Sequence, residues 1–200
     1  MKTKLSCLFV GLCLLTGCWQ KSLLPFYQAT DVRFDPKLLG AWKFTTDDPS
    51  QRSNSKVWTF TNGVAQEYRL TIAENDQERL YVAHLFELGG MQWLDLFSAK
   101  RGISTVPAHN LLRVVVKAGS MELSLLDTDW VQGWLRKNPT ALAHIAVEDP
   151  DAPDNREKDE LVLTAETKAL QKFLVSHKND AGFFESPKTY QFVEVDAKKK

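Results

Sequence analysis

Short runs of alternating or β-branched apolar residues recur along most of the chain, separated by turn residues. They cover Gly40 to Thr46, Lys56 to Phe60, Gln66 to Ile72, Arg79 to Leu88, Met91 to Phe97, Leu111 to Lys117 and Met121 to Leu125. A period of two puts successive side chains on opposite faces, so each run predicts a half-buried β-strand. The connections are mostly short enough for antiparallel neighbours. The spacing predicts a meander that forms a barrel or a strongly curved sheet. Thr189 to Val195, where Tyr190 and Phe192 alternate with polar neighbours, can close that sheet.

Two segments carry a helical period instead. Thr128 to Lys137 has Asp127 or Thr128 as its cap and places Trp130, Val131, Trp134 and Leu135 on one stripe before Asn138-Pro139 ends it. Thr164 to Lys178 has Thr164 as its cap and aligns Ala169, Leu170, Phe173 and Leu174. An apolar strand precedes each helix. The fold class is therefore α+β and β-rich, with both helices in the C-terminal half. Between them, Glu148 to Glu160 is charged and contains prolines. Asp149, Asp151 and Asp154 lack an EF-hand spacing because Pro153 falls where a ligand belongs, and the stretch reads as a solvated loop.

The two-glycine turn Gly89-Gly90 fixes a register, since a primed hairpin turn needs two residues at positive φ. Leu88 then faces Met91, Phe86 faces Trp93, His84 faces Asp95 and Val82 faces Phe97. One face of this hairpin is apolar except for the His84/Asp95 pair. Such a pair can anchor a ligand or serve as a general base, because the carboxylate favours the charged imidazole and fixes its tautomer. It can equally pin the register by satisfying its own buried hydrogen bonds. His109, His144 and His177 add no metal-ligand spacing, and the chain has neither a Gly-x-Ser-x-Gly elbow nor a phosphate-binding glycine loop. Proximity of His84, Asp95 and His109 in space is the one route to a metal site that the sequence leaves open.

Composition narrows the function. The chain has 200 residues, with 25 Lys+Arg against 25 Asp+Glu, so it lacks the basic excess that nucleic-acid binding requires. At 44% hydrophobic it can bury one ordinary core. Its three cysteines, Cys7, Cys13 and Cys18, all lie near the amino terminus, so the remainder forms neither a disulfide nor a cysteine zinc site. No cofactor is expected.

At the amino terminus Lys2 and Lys4 precede an apolar run, Leu5 to Leu15, too short to span a bilayer but suited to a signal-peptide core. It ends in Leu15-Thr16-Gly17-Cys18, which resembles the lipobox of bacterial lipoproteins. The resemblance implies diacylglyceryl transfer to Cys18, cleavage before it and further acylation. More than one acyl chain gives stable membrane anchoring. In Gram-negative lipoproteins an Asp after the cysteine commonly retains the protein in the inner membrane; Trp19 stands there, so the outer membrane is favoured. The expected organisation is a signal peptide over 1–17, a lipidated tether over 18–37, a single domain over 38–196 and a disordered tail over 197–200.

Gly40-Ala41-Trp42 resembles the Gly-x-Trp with which lipocalin and lipocalin-like barrels begin. That resemblance implies a tryptophan plugging the closed barrel end and a small apolar ligand or lipid inside. Gly-x-Trp together with Ala83-His84-Leu85, Gly89-Gly90 and Leu94-Asp95-Leu96 also resembles a set of uncharacterised bacterial lipoproteins. The expectation is a lipid-anchored, non-enzymatic envelope protein that binds a small apolar ligand or lipid, with Trp42, His84, Phe86, Trp93, Asp95 and Phe97 as candidate lining residues. An envelope-structural or protein-interaction module is the alternative, and a hydrolase or metal enzyme using His84/Asp95 a more distant one. A ligand barrel would turn Phe86, Trp93 and Phe97 inward around a cavity; an interaction module would have a filled interior.

Overall fold

A computed structural model describes residues 19–46, 56–75, 77–98, 107–147 and 160–194. The expected signal peptide over 1–17, Cys18, the candidate loop carboxylates Asp149, Asp151 and Asp154, and the expected tail over 197–200 lie outside the described residues. The strands are β1 (Lys21–Ser22), β2 (Val32–Arg33), β3 (Gly40–Thr45), β4 (Val57–Asn62), β5 (Glu67–Glu74), β6 (Gln77–Leu88), β7 (Met91–Ser98), β8 (His109–Lys117) and β9 (Ser120–Leu125). Helix α1 (Thr128–Lys137), β10 (His144–Val147), β11 (Glu160–Leu163), helix α2 (Thr167–His177) and β12 (Lys188–Val193) follow among the described residues.

Strands β3 to β9 follow one another around a wall, each antiparallel to the last, and β12 inserts between β9 and β3. The result is a closed eight-stranded antiparallel barrel. The Gly89-Gly90 turn has φ of 61° and 74°, and the hairpin register pairs His84 with Asp95 and Phe86 with Trp93 as the sequence requires. Side chains of one parity fill the barrel, among them Trp42, Trp58, Phe60, Tyr68, Leu85, Leu94 and Leu112.

The two barrel ends differ. At one, a 3-10 turn over Pro36–Leu38 crosses beneath the wall, started by Asp35, whose carboxylate accepts from Lys37 N at 2.9 Å. Leu38 is fully buried there, and Trp42 Nε1 donates to its carbonyl at 2.9 Å. At the other end the indole of Trp19 lies over Trp58 and Tyr81, with ring centroids 6.3 and 6.1 Å away. We refer to these as the closed end and the mouth.

A second core lies outside the barrel. Phe86, Trp93 and Leu111 project outward from β6, β7 and β8 and are covered by α1, α2 and the amino-terminal segment. Asp127 caps α1 by accepting from Trp130 N at 2.8 Å, and the stripe read from the sequence supplies the buried Val131 and Leu135. Helix α2 starts later than the sequence suggests. Glu166 occupies its N-cap without a side-chain bond, whereas Thr164 is held by its backbone N–H to the Ala143 carbonyl at 2.9 Å.

Two expectations need correction. Residues 19–37 are not a tether: β1 pairs with β8 and β11, β2 pairs with β6, and Phe26 is fully buried. The segment descends the outer wall from mouth to closed end. It escapes periodicity because its strands are two residues long and its contacts are made by backbone and by isolated side chains. Phe86, Trp93 and Phe97 do not face the barrel interior but stand on its outer surface. Both faces of β6 and β7 are apolar, and alternation alone does not say which of two apolar faces turns inward.

Candidate functional site

On the outer wall, Glu67 of β5, His84 of β6 and Asp95 of β7 stand opposite one another in register. His84 and Asp95 do not bond to each other. The fully buried Asp95 carboxylate accepts from His109 Nδ1 at 2.7 Å and from the backbone N–H of Phe26 at 3.0 Å. His109 reaches it diagonally from β8, its ring tilted against Phe97 with centroids 4.8 Å apart. His84 Nε2 stands 3.9 Å from Glu67 Oε2, its ring stacks on Tyr27 at 4.5 Å, and its buried Nδ1 has no hydrogen-bond partner among the described residues.

Electrostatics follow from this packing. Burial pushes the His84 pKa below its ordinary 6.5, outweighing the Asp95 and Glu67 carboxylates that favour its charged form, and His109 adds to the lowering. Burial, then Asp95 and Glu67, raises the Tyr27 phenol to about 12. Gln171 of α2 completes the same clasp from the helix side. Its Nε2 donates to Phe26 O at 3.1 Å and to Asp31 Oδ2 at 2.7 Å, and its Oε1 accepts from Gln28 at 2.9 Å. The polar island thus holds the amino-terminal segment between barrel and helix. Among the described residues no group of three or more His, Cys, Asp or Glu side chains is placed to hold a metal ion.

The sixth candidate, Trp42, lies inside the barrel at its closed end, with Phe192 edge-on at 5.4 Å. The interior is filled by side chains. Space of about 40 Å³ remains beneath the mouth among Trp19, Trp58, Leu112, Leu123, Leu125 and Tyr190. That is room for a few water molecules, well short of a site for an organic ligand. Trp58 Nε1 is buried without a partner among the described residues.

A larger space opens outside the wall, at a feature the sequence reading did not single out. Leu126 faces Phe184 and Leu123 faces Lys188, so the second strand carries one residue more than β9 over the same stretch. Pro187, which has no N–H to donate, lies in this bulge. Beside it a groove of about 300 Å³ is lined by Arg113, Val115, Glu122, Ser124 and Phe184 to Pro187. The Arg113 guanidinium stands 5.5 Å from the Phe184 ring centroid. Burial raises the pKa of Glu185, with Asp127 and Asp129 adding to it against Lys188. The only sequence signal for this groove is a proline immediately before an alternating run.

Comparison of the chain with protein-family models, with curated proteins and with solved structures finds no match.

Proposed function

We propose that this chain is a lipid-anchored, non-enzymatic protein of the bacterial envelope, on the outer membrane where the host has one, and that it binds its partner on the outer barrel wall. The observation that carries the reading is the contrast in volume: about 40 Å³ inside the barrel against about 300 Å³ in the groove at the bulge. The groove volume sits at the lower edge of the range used by small-molecule sites, and Arg113, Glu122 and Glu185 line it beside Val115 and Phe184. The non-enzymatic reading is supported by the clasp: Asp95, the one fully buried carboxylate among the described residues, is committed to Phe26 and His109. The anchor rests on the lipobox and is tested by Cys18→Ser, which should abolish acyl-label incorporation and detergent partitioning. A variant that remains on membranes unlabelled would remove that support.

A second reading, a lipid or other largely apolar ligand that carries one hydrogen-bond acceptor and enters once the filled barrel opens, is favoured by the unpartnered Trp58 Nε1 beside the void. Titration of the domain with a fluorescent apolar probe separates the two. Saturable binding abolished by Leu123→Trp places the site inside. No binding at the mouth, with ligand protection of an Arg113 label, places it on the wall.

A further inference from the structure

The first residue after the proposed lipidation site is already part of the fold. Trp19 packs on Trp58 and Tyr81 at the mouth, Gln20 is 3% exposed with its Nε2 donating to Leu161 O at 2.8 Å, and Ser22 is fully buried between β8 and β11. No spacer separates Cys18 from the barrel. An acyl group on Cys18 would therefore emerge one residue from the mouth, with less chain than the few ångströms of one residue to lift the body off the lipid.

The same end carries features suited to a headgroup layer. Leu80 near the start of β6 is 41% exposed. Lys56 and Lys188 line the mouth, and Lys21 reaches Glu160 at 2.7 Å. Carboxylates share this rim: Glu74 pairs with Lys56 at 3.3 Å, and Glu185 lies near Lys188. A tryptophan whose one edge is packed and whose other remains partly open is a common occupant of the membrane–water interface.

We infer that the barrel stands mouth-down, with the end sealed by Trp19 resting on the surface of the bilayer that holds its anchor and the closed end pointing away. This rests on the lipid-anchor reading. The partner is the phospholipid surface itself, which Trp19, Leu80 and the lysines of the rim meet. The groove at the bulge then opens on the side of the barrel and stays accessible from the aqueous phase.

The test uses the full chain, processed in cells and reconstituted into vesicles of phosphatidylethanolamine and phosphatidylglycerol. Single cysteines are introduced and labelled at Gln77→Cys beside the mouth and Asn62→Cys near the closed end, both exposed positions. Wild-type protein should take no label, because its remaining cysteine is blocked by lipid. The Gln77 label should lose access to a water-soluble quencher and gain access to a lipid-borne one, while the Asn62 label shows the reverse. A Gly/Ser insertion between Cys18 and Trp19 should restore water access at Gln77 with flotation unchanged. Equal quenching of the two labels on protein that floats with vesicles would overturn the orientation alone. A wild type that takes label and does not float would overturn the anchor, and the orientation with it.

Discussion

Replacing Asp95 with alanine removes the acceptor for two donors at once. The Phe26 N–H is sealed under a side chain with no exposed surface, so it loses its partner without gaining water. His109 is 13% exposed at its side chain and can recover part of its bond from solvent. An orphaned buried donor costs about 1–3 kcal/mol, so the full loss for Phe26 and a partial one for His109 give about 2–4 kcal/mol. For a domain of this size roughly 2–4 °C accompanies each kcal/mol, which puts the fall in Tm on the order of 10 °C. Asp95→Asn should cost about half as much, since the amide oxygen still accepts one N–H while its NH2 group turns a donor toward the other. The assay is thermal and urea unfolding of the single variants and of two double-mutant cycles. Asp95 and His109 should couple by about 0.5–3 kcal/mol, and more strongly than Asp95 and His84, which are cross-strand neighbours without a bond. An Asp95→Ala protein as stable as the wild type, or coupling stronger with His84 than with His109, would refute the clasp.

The depressed His84 pKa makes an acid-side prediction. The unfolded chain takes up a proton near 6.5 before the folded one does, so stability contributed by neutral His84 is complete above that pH and declines as pH falls below it. In urea unfolding from about pH 8 to 5, His84→Leu should show a shallower decline than the wild type, and parallel curves would show that His84 is not involved. Gln171→Ala removes the helix-side half of the clasp. It should destabilise by about 1–3 kcal/mol and speed amide exchange at Phe26 and Gln28 more than at Leu94, which hydrogen exchange read by mass spectrometry resolves.

The barrel was legible because its strands alternate and one of its two-residue hairpins carries two adjacent glycines. Seven runs and the final Tyr190/Phe192 alternation correspond to β3 to β9 and β12. Helix α1 was legible too, bounded by Asp127 and Asn138. The inside of the wall was not. Leu85 and Phe86 are consecutive, both buried, and face different cores, so periodicity finds two apolar faces and ranks neither. The backbone partner of Asp95, beside His109, was hidden for a different reason. It is a backbone N–H separated from it by 69 positions, in a segment with no period, and backbone donors carry no residue signature. Arg113 and Glu185 converge because of a one-residue bulge, which a sequence marks only through Pro187.

The position of β12 sets an order of events during synthesis. Lys188–Val193 is the last of the described strands to leave a ribosome, yet it is the one that joins β3 to β9. Until it appears both partners are open edges, and the earlier strands form an unsealed ribbon. The amino-terminal segment waits as well, because the carbonyl of Phe26 is held by Gln171, 145 positions downstream. Pairings of such separation are slow to form. Nearly all of the residues that build the two cores are therefore made before either core can lock, and the chain stays open for most of its synthesis.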